Sequence, residues 1–590
     1  MRFILIFLIG MISFFYIGAL IKHLTHKTLP SILGFTLIFA GLMLMIFGQL
    51  LISYPLNILV GCFALGSGFG VVIFHFLSQT YLISKKFESE FARKHEHGID
   101  RFLEILPGAL MWIVLSSPIW LSLTAPFAVA YLIIIADIYW LFNALKISVT
   151  MFIGFRRMKW AEKQPWFNRL QQDFPEQWKD YYHLILLPIY NESLEVVGPS
   201  FNAIISSNYD KSKIFLSVGF EGRTNPELKH AVTFDYLEKQ KSKIGGIFTT
   251  IHPAGLPGEV PGPGSNRNWM VKNALSEFKK QGIKPEQVIV TTLDSDFVIH
   301  QEFLAGATHK YLSTPLEKRN KCSYTGVFLY NNNYWQTSAP MRLIASGTAF
   351  WQISEQVSSD KYINYASLSI NMKSLLDIGL WIPDKVNDDS GFFWKAYFHF
   401  KGEYKVIPHY IPLSADAVLD INLPKTFQNQ YLQLKRWAYG VEHIPFIIKK
   451  YFSSNDIDFW NKTSYLIFIL WSYTKWGTLA LFITFAGLFI PLLNPNYQAS
   501  ALSINQPIVS SWILTIAFIG LFTTIYVHEK TVPPRPKNWG FLTKLWSYLQ
   551  WLLVPLVLVT IGTIPAIDAQ TSLMLGRYMG FRTTNKARKS

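Results

Sequence analysis

Long apolar segments on both sides of a more highly charged middle region are the feature of this 590-residue chain that most constrains its fold. A helix needs about 20 mostly apolar residues to cross the hydrocarbon core of a bilayer. Five such segments precede the middle of the chain and three follow it: Phe3–Ile21, Ser31–Ser53, Leu56–Ser84, Ile105–Leu121, Pro126–Ile147, Trp471–Leu493, Pro507–Val527 and Leu545–Ile564. We therefore predict a multi-span α-helical membrane protein.

The composition supports a membrane location and excludes several other classes. Only 16% of the residues are charged, whereas soluble domains usually carry about 25%. The two cysteines, Cys62 and Cys322, exclude a disulfide scaffold and a cysteine-built metal centre. The formal net charge is +16. Most basic clusters flank the predicted spans, which indicates membrane lipids rather than nucleic acid as the partner.

The distribution of basic residues predicts which side of the membrane each loop faces, because cytoplasmic loops are rich in Lys and Arg. The loops around Lys85–Arg101 and Lys146–Lys159 are basic, whereas the turns near Tyr54 and Thr124 carry no base. We therefore expect a multi-pass protein of the inner or plasma membrane with a cytoplasmic central region. The basic C-terminal tail also has a cytoplasmic composition, although three C-terminal crossings would place it outside. A re-entrant last segment, broken at Pro555 or Pro565, would reconcile the basic composition of the tail with the number of crossings. The tail could therefore lie on either side of the membrane.

Three regions follow from this pattern: an N-terminal membrane region over 1–153, a cytoplasmic domain over 154–455 that ends in interfacial helices, and a C-terminal membrane region over 456–590. In the cytoplasmic region, apolar runs predict strands at His183–Pro188, Lys213–Val218, Gly246–Ile251 and Gln287–Leu293. Helical patterns separate them, at Asn191–Ser206, Asn225–Lys241 and Asn266–Gln281. This alternation predicts an α/β, Rossmann-like domain with a mainly parallel sheet, whose ligands lie beyond the carboxyl ends of the strands.

The fourth predicted strand leads directly into Asp294-Ser295-Asp296. Two carboxylates at that position are well placed to hold Mg²⁺ or Mn²⁺, which prefer oxygen ligands and often share them with substrate phosphates. The alternative interpretation is a solvated turn stabilised by aspartate side chains.

Two further groups of residues could take part in catalysis or substrate binding. Asp388-Asp389 precedes a predicted helix over Phe392–Phe400, and an aspartate there could act as a general base or simply cap the helix. Gln433, Arg436 and Trp437 share one face of a helix predicted over Phe427–Tyr439. Arg can bind phosphate, Gln can bond a hydroxyl and Trp can stack on a sugar, although an amphipathic helix at the membrane surface is an alternative.

Together these groups resemble glycosyltransferase family 2, inverting enzymes with a GT-A fold, and especially its membrane-integrated branch related to cellulose, hyaluronan and chitin synthases. The segment Pro188–Glu192 is similar to the P-x-Y-N-E opening of that family. Three further matches are the D-x-D motif at Asp294–Asp296, the E-D motif at Asp388-Asp389, and the Q-x-x-R-W motif at Gln433–Trp437. The chain departs from the family at Glu221, where an Asp is usual, and at Asp388, where Glu is usual.

The resemblance implies a role for each matched residue. Tyr190 and Glu221 would contact the nucleoside, Asp294 and Asp296 the metal and diphosphate, and Asp388 the substrate. Asp389 would be the catalytic base. Arg436 would bind the diphosphate, while Gln433 and Trp437 would border the acceptor.

The predicted function is therefore transfer of a sugar from a nucleotide-diphosphate sugar to a hydroxyl acceptor at the cytoplasmic membrane face. A membrane-embedded synthase that builds and exports a β-linked polysaccharide is one form of this activity. Transfer of a single sugar to a lipid is the alternative. A transporter with a regulatory cytoplasmic domain is a more distant one, and it would not need Asp294, Asp296 or Asp389.

Overall fold

The computed structural model describes residues 90–580, together with the isolated positions 37 and 64. The predicted spans at Phe3–Ile21, Ser31–Ser53 and Leu56–Ser84 lie outside the described residues, as do residues 581–590 of the basic tail.

Five helices in the described part of the chain are long and apolar enough to cross a membrane. They are His97–Thr124, Pro126–Glu162, Phe459–Leu493, Ala501–Thr531 and Phe541–Met574. The shortest has 28 residues, which at about 1.5 Å per residue exceeds the ~30 Å hydrocarbon core. Each contains one of the five predicted spans from Ile105 onward, so those five predictions are confirmed as helices of spanning length and composition.

The last of these segments is not a regular α-helix throughout. Its α-helical parts Phe541–Leu549, Val554–Val557 and Ile564–Met574 are separated by a 3₁₀ turn at Gln550–Leu553 and a π turn at Leu558–Gly562. The irregular stretch lies beside the two prolines at which the sequence predicts a break. The side of the membrane on which the tail lies stays a prediction.

The sheet has eight strands: β1 (Tyr182–Ile189), β2 (Ile214–Glu221), β3 (Gly246–His252), β4 (Val288–Thr292), β5 (Val298–Ile299), β6 (Cys322–Leu329), β7 (Leu368–Asn371) and β8 (Lys405–Ser414). Their order is β3-β2-β1-β4-β7-β6-β8-β5. The first four strands in that order are parallel to one another, which confirms the predicted parallel sheet for this half.

In the other half of the sheet, β5 and β7 run against the remaining six strands, so the sheet is mixed but mainly parallel, as predicted. β7 is antiparallel to both β4 and β6, and β5 is antiparallel to β8, while β6 and β8 are parallel. β5 has two residues and β7 has four, and runs this short show no recognisable apolar period. The fold class is confirmed as a mixed α/β sheet domain combined with helices of membrane-spanning length.

The remaining α-helices are Trp166–Asp173, Leu194–Ile205, Pro226–Lys229, Ala231–Gln240, Pro263–Lys280, Phe303–Ser313, Leu316–Arg319, Ala339–Val357, Met372–Ile378, Asp388–His399, Leu423–Ala438, Ile444–Ser453 and Pro495–Gln498. The Pro- and Gly-rich segment Ala254–Ser265 is called the glycine loop. We refer to Pro263–Lys280 as the glycine-loop helix, to Asp388–His399 as the acidic helix and to Leu423–Ala438 as the Q-x-x-R-W helix.

Several predicted helix boundaries are wrong, each for a local reason. The predicted helix Asn225–Lys241 is broken at His230 into two helices. The glycine-loop helix and the Q-x-x-R-W helix begin several residues early, because each accepts a proline in its first turn, where no backbone N–H is needed. The Asn422 side chain caps the latter by accepting a hydrogen bond from Lys425 N at 3.0 Å. The acidic helix begins at Asp388, so the aspartate pair lies inside its first turn.

The described residues form two compact units, one of residues 90–136 and 443–510 and the other of 137–442 and 511–580. In the first, membrane-length helices pack through a cluster of buried residues that includes Val129, Ala486 and Ile490. The second contains the whole sheet. Its main core joins strand residues such as Leu216 to helix residues such as Phe201. The predicted domain boundaries at 153 and 455 stay a prediction.

Candidate active site

The carboxyl ends of the parallel strands bring three predicted site regions to one edge of the sheet. Tyr190 directly follows β1, Glu221 is the last residue of β2, and Asp294 comes two residues after β4. β1 pairs with β2 on one side and β4 on the other. Because carboxyl ends of parallel strands meet at the same edge, this is where a doubly wound sheet binds its ligands.

The two aspartates of the D-x-D motif have different environments. The side chain of Asp294 is 39% exposed. Asp296 is fully buried, and its Oδ2 accepts a hydrogen bond from the backbone N–H of Asp416 at 2.8 Å. Asn332 donates to the Asp296 carbonyl at 3.0 Å and to the Asp416 carboxylate at 2.8 Å. Asp294 therefore faces the open edge, while Asp296 is anchored to the segment that follows β8.

A buried arginine that the sequence analysis did not identify joins the two acidic motifs. The Arg267 guanidinium is fully buried and donates to Asp388 at 2.7 Å, Asp389 at 3.0 Å and Asp294 at 3.4 Å. It lies in the first turns of the glycine-loop helix. A Cβ at the neighbouring Gly264 would lie 2.8 Å from the Cβ of Asp388, so glycine permits this helix to approach the acidic helix closely. The only sequence signal was the Asn-Arg-Asn triplet directly after the glycine loop.

Arg436 of the Q-x-x-R-W helix belongs to the same cluster of charges. Its guanidinium interacts electrostatically with Asp294, Asp388 and Asp389. Asp294, Asp296 and Arg436 also interact electrostatically with the hydroxyl group of the half-buried Tyr330. The structure thus brings together four predicted aspartates and the predicted arginine, although they come from three distant parts of the chain.

Burial changes the ionisation of this cluster. Burial raises the pKa of Asp388 above the ordinary aspartate range, against the opposing effect of the Arg267 charge. Burial and the adjacent Asp388 raise the pKa of Asp389 to about 6, while the two arginines act in the opposite direction. Burial alone would lower the pKa of Arg267, but the three aspartates raise it above its usual value, so that this side chain stays charged.

Gln433 and Trp437 lie on the same helix as Arg436 and are half-buried. Gln433 Oε1 accepts a hydrogen bond from Gln430 at 3.1 Å. Two other side chains of this helix hold it against the last apolar helix, where Asp568 accepts from Tyr431 at 2.7 Å and pairs with Lys435 at 2.8 Å. The helix is therefore fixed by residues other than its Q-x-x-R-W side chains.

A second group of interacting residues lies at the end of the edge where the sequence predicts nucleoside contact, which we call the nucleoside end: Tyr190, Glu221, Arg223, His252 and Glu259. The Arg223 guanidinium lies 4.5 Å from the centre of the Tyr190 ring and 3.5 Å from Glu221. His252, the last residue of β3, lies 3.8 Å from Glu221 and 2.9 Å from Glu259. Burial lowers the pKa of His252, but the two glutamates outweigh it and leave the pKa raised. Tyr190 and Glu221 belong to the sequence motifs described above, whereas Arg223, His252 and Glu259 carry no motif.

The carboxylate oxygens of Asp294 and Asp296 are suitable ligands for a hard divalent cation. Both offer carboxylate oxygens, which Mg²⁺ and Mn²⁺ prefer. The four aspartates and two arginines leave an excess of two negative charges when all are ionised. Between residues 90 and 580, no group of three His, Cys, Asp or Glu side chains is arranged to hold an ion alone. An ion here would need substrate phosphate oxygens as further ligands, as is common for Mg²⁺.

Comparison with known proteins gives matches only among solved structures. No protein-family model matches the chain, and no curated protein matches it either. One is the mannosyltransferase PcManGT from Pyrobaculum calidifontis, in complex with GDP-Man and Mn²⁺. It is 14% identical to this chain with a TM-score of 0.38, and the match covers 73% of this chain and 98% of PcManGT. Another is residues 1–349 of S. aureus TarS, in complex with UDP-GlcNAc. They are 15% identical with a TM-score of 0.32, and the match covers 60% of this chain and 93% of the TarS chain.

Proposed function

We propose that this protein is an inverting glycosyltransferase that moves a sugar from a nucleotide-diphosphate sugar to a hydroxyl acceptor at the cytoplasmic face of the inner or plasma membrane. One observation carries the proposal. Asp294, Asp388 and Asp389 share one buried guanidinium, and Arg436 interacts electrostatically with the same carboxylates. The reaction requires a carboxylate base to accept a proton and positive charges to bind phosphates, and this cluster supplies both.

In the proposed reaction, Asp389 takes the proton of the acceptor hydroxyl. The hydroxyl oxygen then bonds to the anomeric carbon from the face opposite the nucleotide. The bond from that carbon to the diphosphate oxygen breaks, and the nucleoside diphosphate leaves with the electron pair. Attack from the opposite face inverts the anomeric configuration.

Other residues bind and orient the two substrates. Arg436 binds the departing diphosphate, Tyr190 and Glu221 contact the nucleoside, and Asp388 keeps Arg267 beside Asp389. Gln433 and Trp437 border the acceptor through a hydrogen bond and a flat stacking surface. Asp294 and Asp296 would hold Mg²⁺ or Mn²⁺, which when bound supplies positive charge to the leaving group.

The membrane-spanning helices before and after the sheet support synthesis and export of a β-linked polysaccharide as the form of this activity. Transfer of a single sugar to a lipid uses the same site chemistry and differs only in the product. Product length therefore distinguishes the two forms.

The test is a donor screen with the purified full-length protein in lipid vesicles. Labelled UDP- and GDP-sugars are supplied with Mg²⁺ or Mn²⁺, and the product is sized and its anomeric configuration determined. Asp377→Asn is a matched control, because Asp377 is a half-exposed aspartate paired with Lys373 outside the site. Absence of transfer from every donor would overturn the proposal. Transport that survives replacement of Asp294, Asp296 and Asp389 would favour the transporter alternative.

A further inference from the structure

The acidic helix and the Q-x-x-R-W helix are joined by a set of contacts that involves none of the predicted site side chains. Glu442 lies just beyond the Q-x-x-R-W helix, in a short 3₁₀ helix at Tyr439–His443. Its Oε1 accepts hydrogen bonds from the backbone N–H groups of Val386 at 2.9 Å and Asn387 at 2.8 Å. These two amides directly precede Asp388, so one carboxylate oxygen holds the chain at the entry to the acidic helix.

The side chain of Asn387 makes a second link in the opposite direction. Its Nδ2 donates to the backbone carbonyl of Arg436 at 2.8 Å. Asn387 occupies the N-cap position of the acidic helix, where an asparagine side chain usually bonds to the amides of its own helix. Here it makes no such capping bond. The residue best suited to cap the acidic helix is instead committed to the helix that carries Arg436.

The same loop is also held from the side of the glycine loop. The carbonyl of Pro383 accepts from Val260 N at 2.8 Å and from Ser265 Oγ at 3.1 Å. The segment from Pro383 to Asn387 is therefore attached at one end to the glycine loop and at the other to the Q-x-x-R-W helix. Its conformation sets how far Asp389 lies from Arg436.

We infer that Glu442 and Asn387 are positioning residues for the transfer reaction, which fix the catalytic base of the acidic helix against the diphosphate-binding arginine. This inference rests on the proposed function and adds to it two residues that contact no substrate. Misplacing a catalytic group by about 1 Å can cost about 100-fold in rate. Loss of these hydrogen bonds therefore acts on the chemical step, while the nucleoside end of the site keeps its own contacts.

The first experiment compares Glu442→Ala with Glu442→Gln in the full-length protein. Glutamine keeps a carbonyl oxygen that can accept both backbone N–H groups, whereas alanine keeps none. We expect Glu442→Ala to lower kcat by at least about tenfold with KM for the nucleotide sugar changed less than about threefold. We expect Glu442→Gln to restore most of kcat. Glu403→Ala is the matched control, because Glu403 is an exposed glutamate paired with Lys321 away from the site.

Asn387→Ala provides a second route if Glu442→Ala folds poorly. It removes the link to the Arg436 carbonyl, and we expect a smaller loss of kcat with the same unchanged KM. The two alanine variants combined should lose less than the product of their separate losses, because both act on one loop. A wild-type kcat in both single variants, or a glutamine variant as slow as the alanine variant, would overturn the inference.

Hydrogen–deuterium exchange tests the same inference without any turnover. Peptides that cover residues 384–399 should exchange faster in Glu442→Ala than in the wild type, and at the wild-type rate in Glu442→Gln and Glu403→Ala. Unchanged exchange in Glu442→Ala would overturn the positioning role even in an active enzyme. Absence of transfer in the wild type would instead overturn the proposed function, and the exchange result would still decide whether Glu442 holds this loop.

Discussion

The two ends of the candidate site are built differently. At the end proposed for sugar transfer, which we call the transfer end, Asp294, Asp388 and Asp389 surround a fully buried arginine, and burial raises the pKa of Asp388 and Asp389. At the nucleoside end, Arg223 is partly exposed and contacts Glu221 at 3.5 Å. Buried charges interact strongly and are costly to leave unpaired, whereas partly exposed pairs are weak. We therefore expect substitutions at the transfer end to change kcat and stability, and those at the nucleoside end to change KM.

The largest effect is expected for Asp389→Asn. Removing the proton acceptor should lower kcat by about 10²–10⁴-fold, the usual contribution of general base catalysis. Asparagine is nearly the same shape and Asp388 still pairs with Arg267, so binding of the nucleoside diphosphate should stay close to the wild type and the melting temperature should fall less than in Arg267→Ala. Calorimetric binding and thermal unfolding check this. Turnover near the wild-type rate would remove Asp389 from the catalytic role.

Arg267→Ala should combine a stability loss with an activity loss. Removing one partner of a buried ion pair usually costs about 3–5 kcal/mol, because the remaining charges lose their compensation. Denaturant unfolding measures this free energy. Arg223→Ala at the nucleoside end is the comparison. Arg223 is partly exposed and lies 3.5 Å from Glu221, so this pair should contribute only about 0–1 kcal/mol. Equal losses for the two variants would contradict the difference between the two ends.

The pH dependence of kcat should report the raised pKa of Asp389. A base must be ionised, and the pKa of Asp389 is about 6. Because a carboxylate loses its charge as pH falls through its pKa, kcat should decline below about pH 6 and level off above it. The ordinary pKa of aspartate, about 3.9, would instead place the decline near pH 4. A profile with no inflection between pH 5 and 7 would show that another group limits the reaction.

The smallest effect is expected for Glu221→Gln. The change removes the charge that faces Arg223 and His252 but keeps the size of the side chain. We expect KM for the nucleotide sugar to rise by about twofold to fivefold, because the pair between Glu221 and the partly exposed Arg223 should contribute up to about 1 kcal/mol. Initial rates at varied donor concentration measure it, and kcat should stay unchanged. A loss confined to kcat would mean that the two ends of the site are not separable.

Local sequence pattern was sufficient for elements whose residues repeat regularly. The apolar runs predicted the bounds of β1, β3 and β4 to within one residue, and all five predicted spans within the described residues are helices. β7 and β5 were missed because four and two residues cannot display a period. The start of the acidic helix was misplaced because aspartate suits both a cap and a first turn.

The kinds of element in this protein and the order of its acidic and Q-x-x-R-W motifs follow from the residue pattern, because hydropathy, strand alternation and helix spacing are local properties. The packing of the chain was needed to show that Arg267 joins Asp294 to Asp389, that His252 and Glu259 lie beside Glu221, and that Glu442 holds the loop before Asp388. Arg267 and Asp389 are 122 residues apart in the chain. Contacts between residues so far apart in the sequence depend on how the sheet and helices pack, so a local residue pattern cannot predict them.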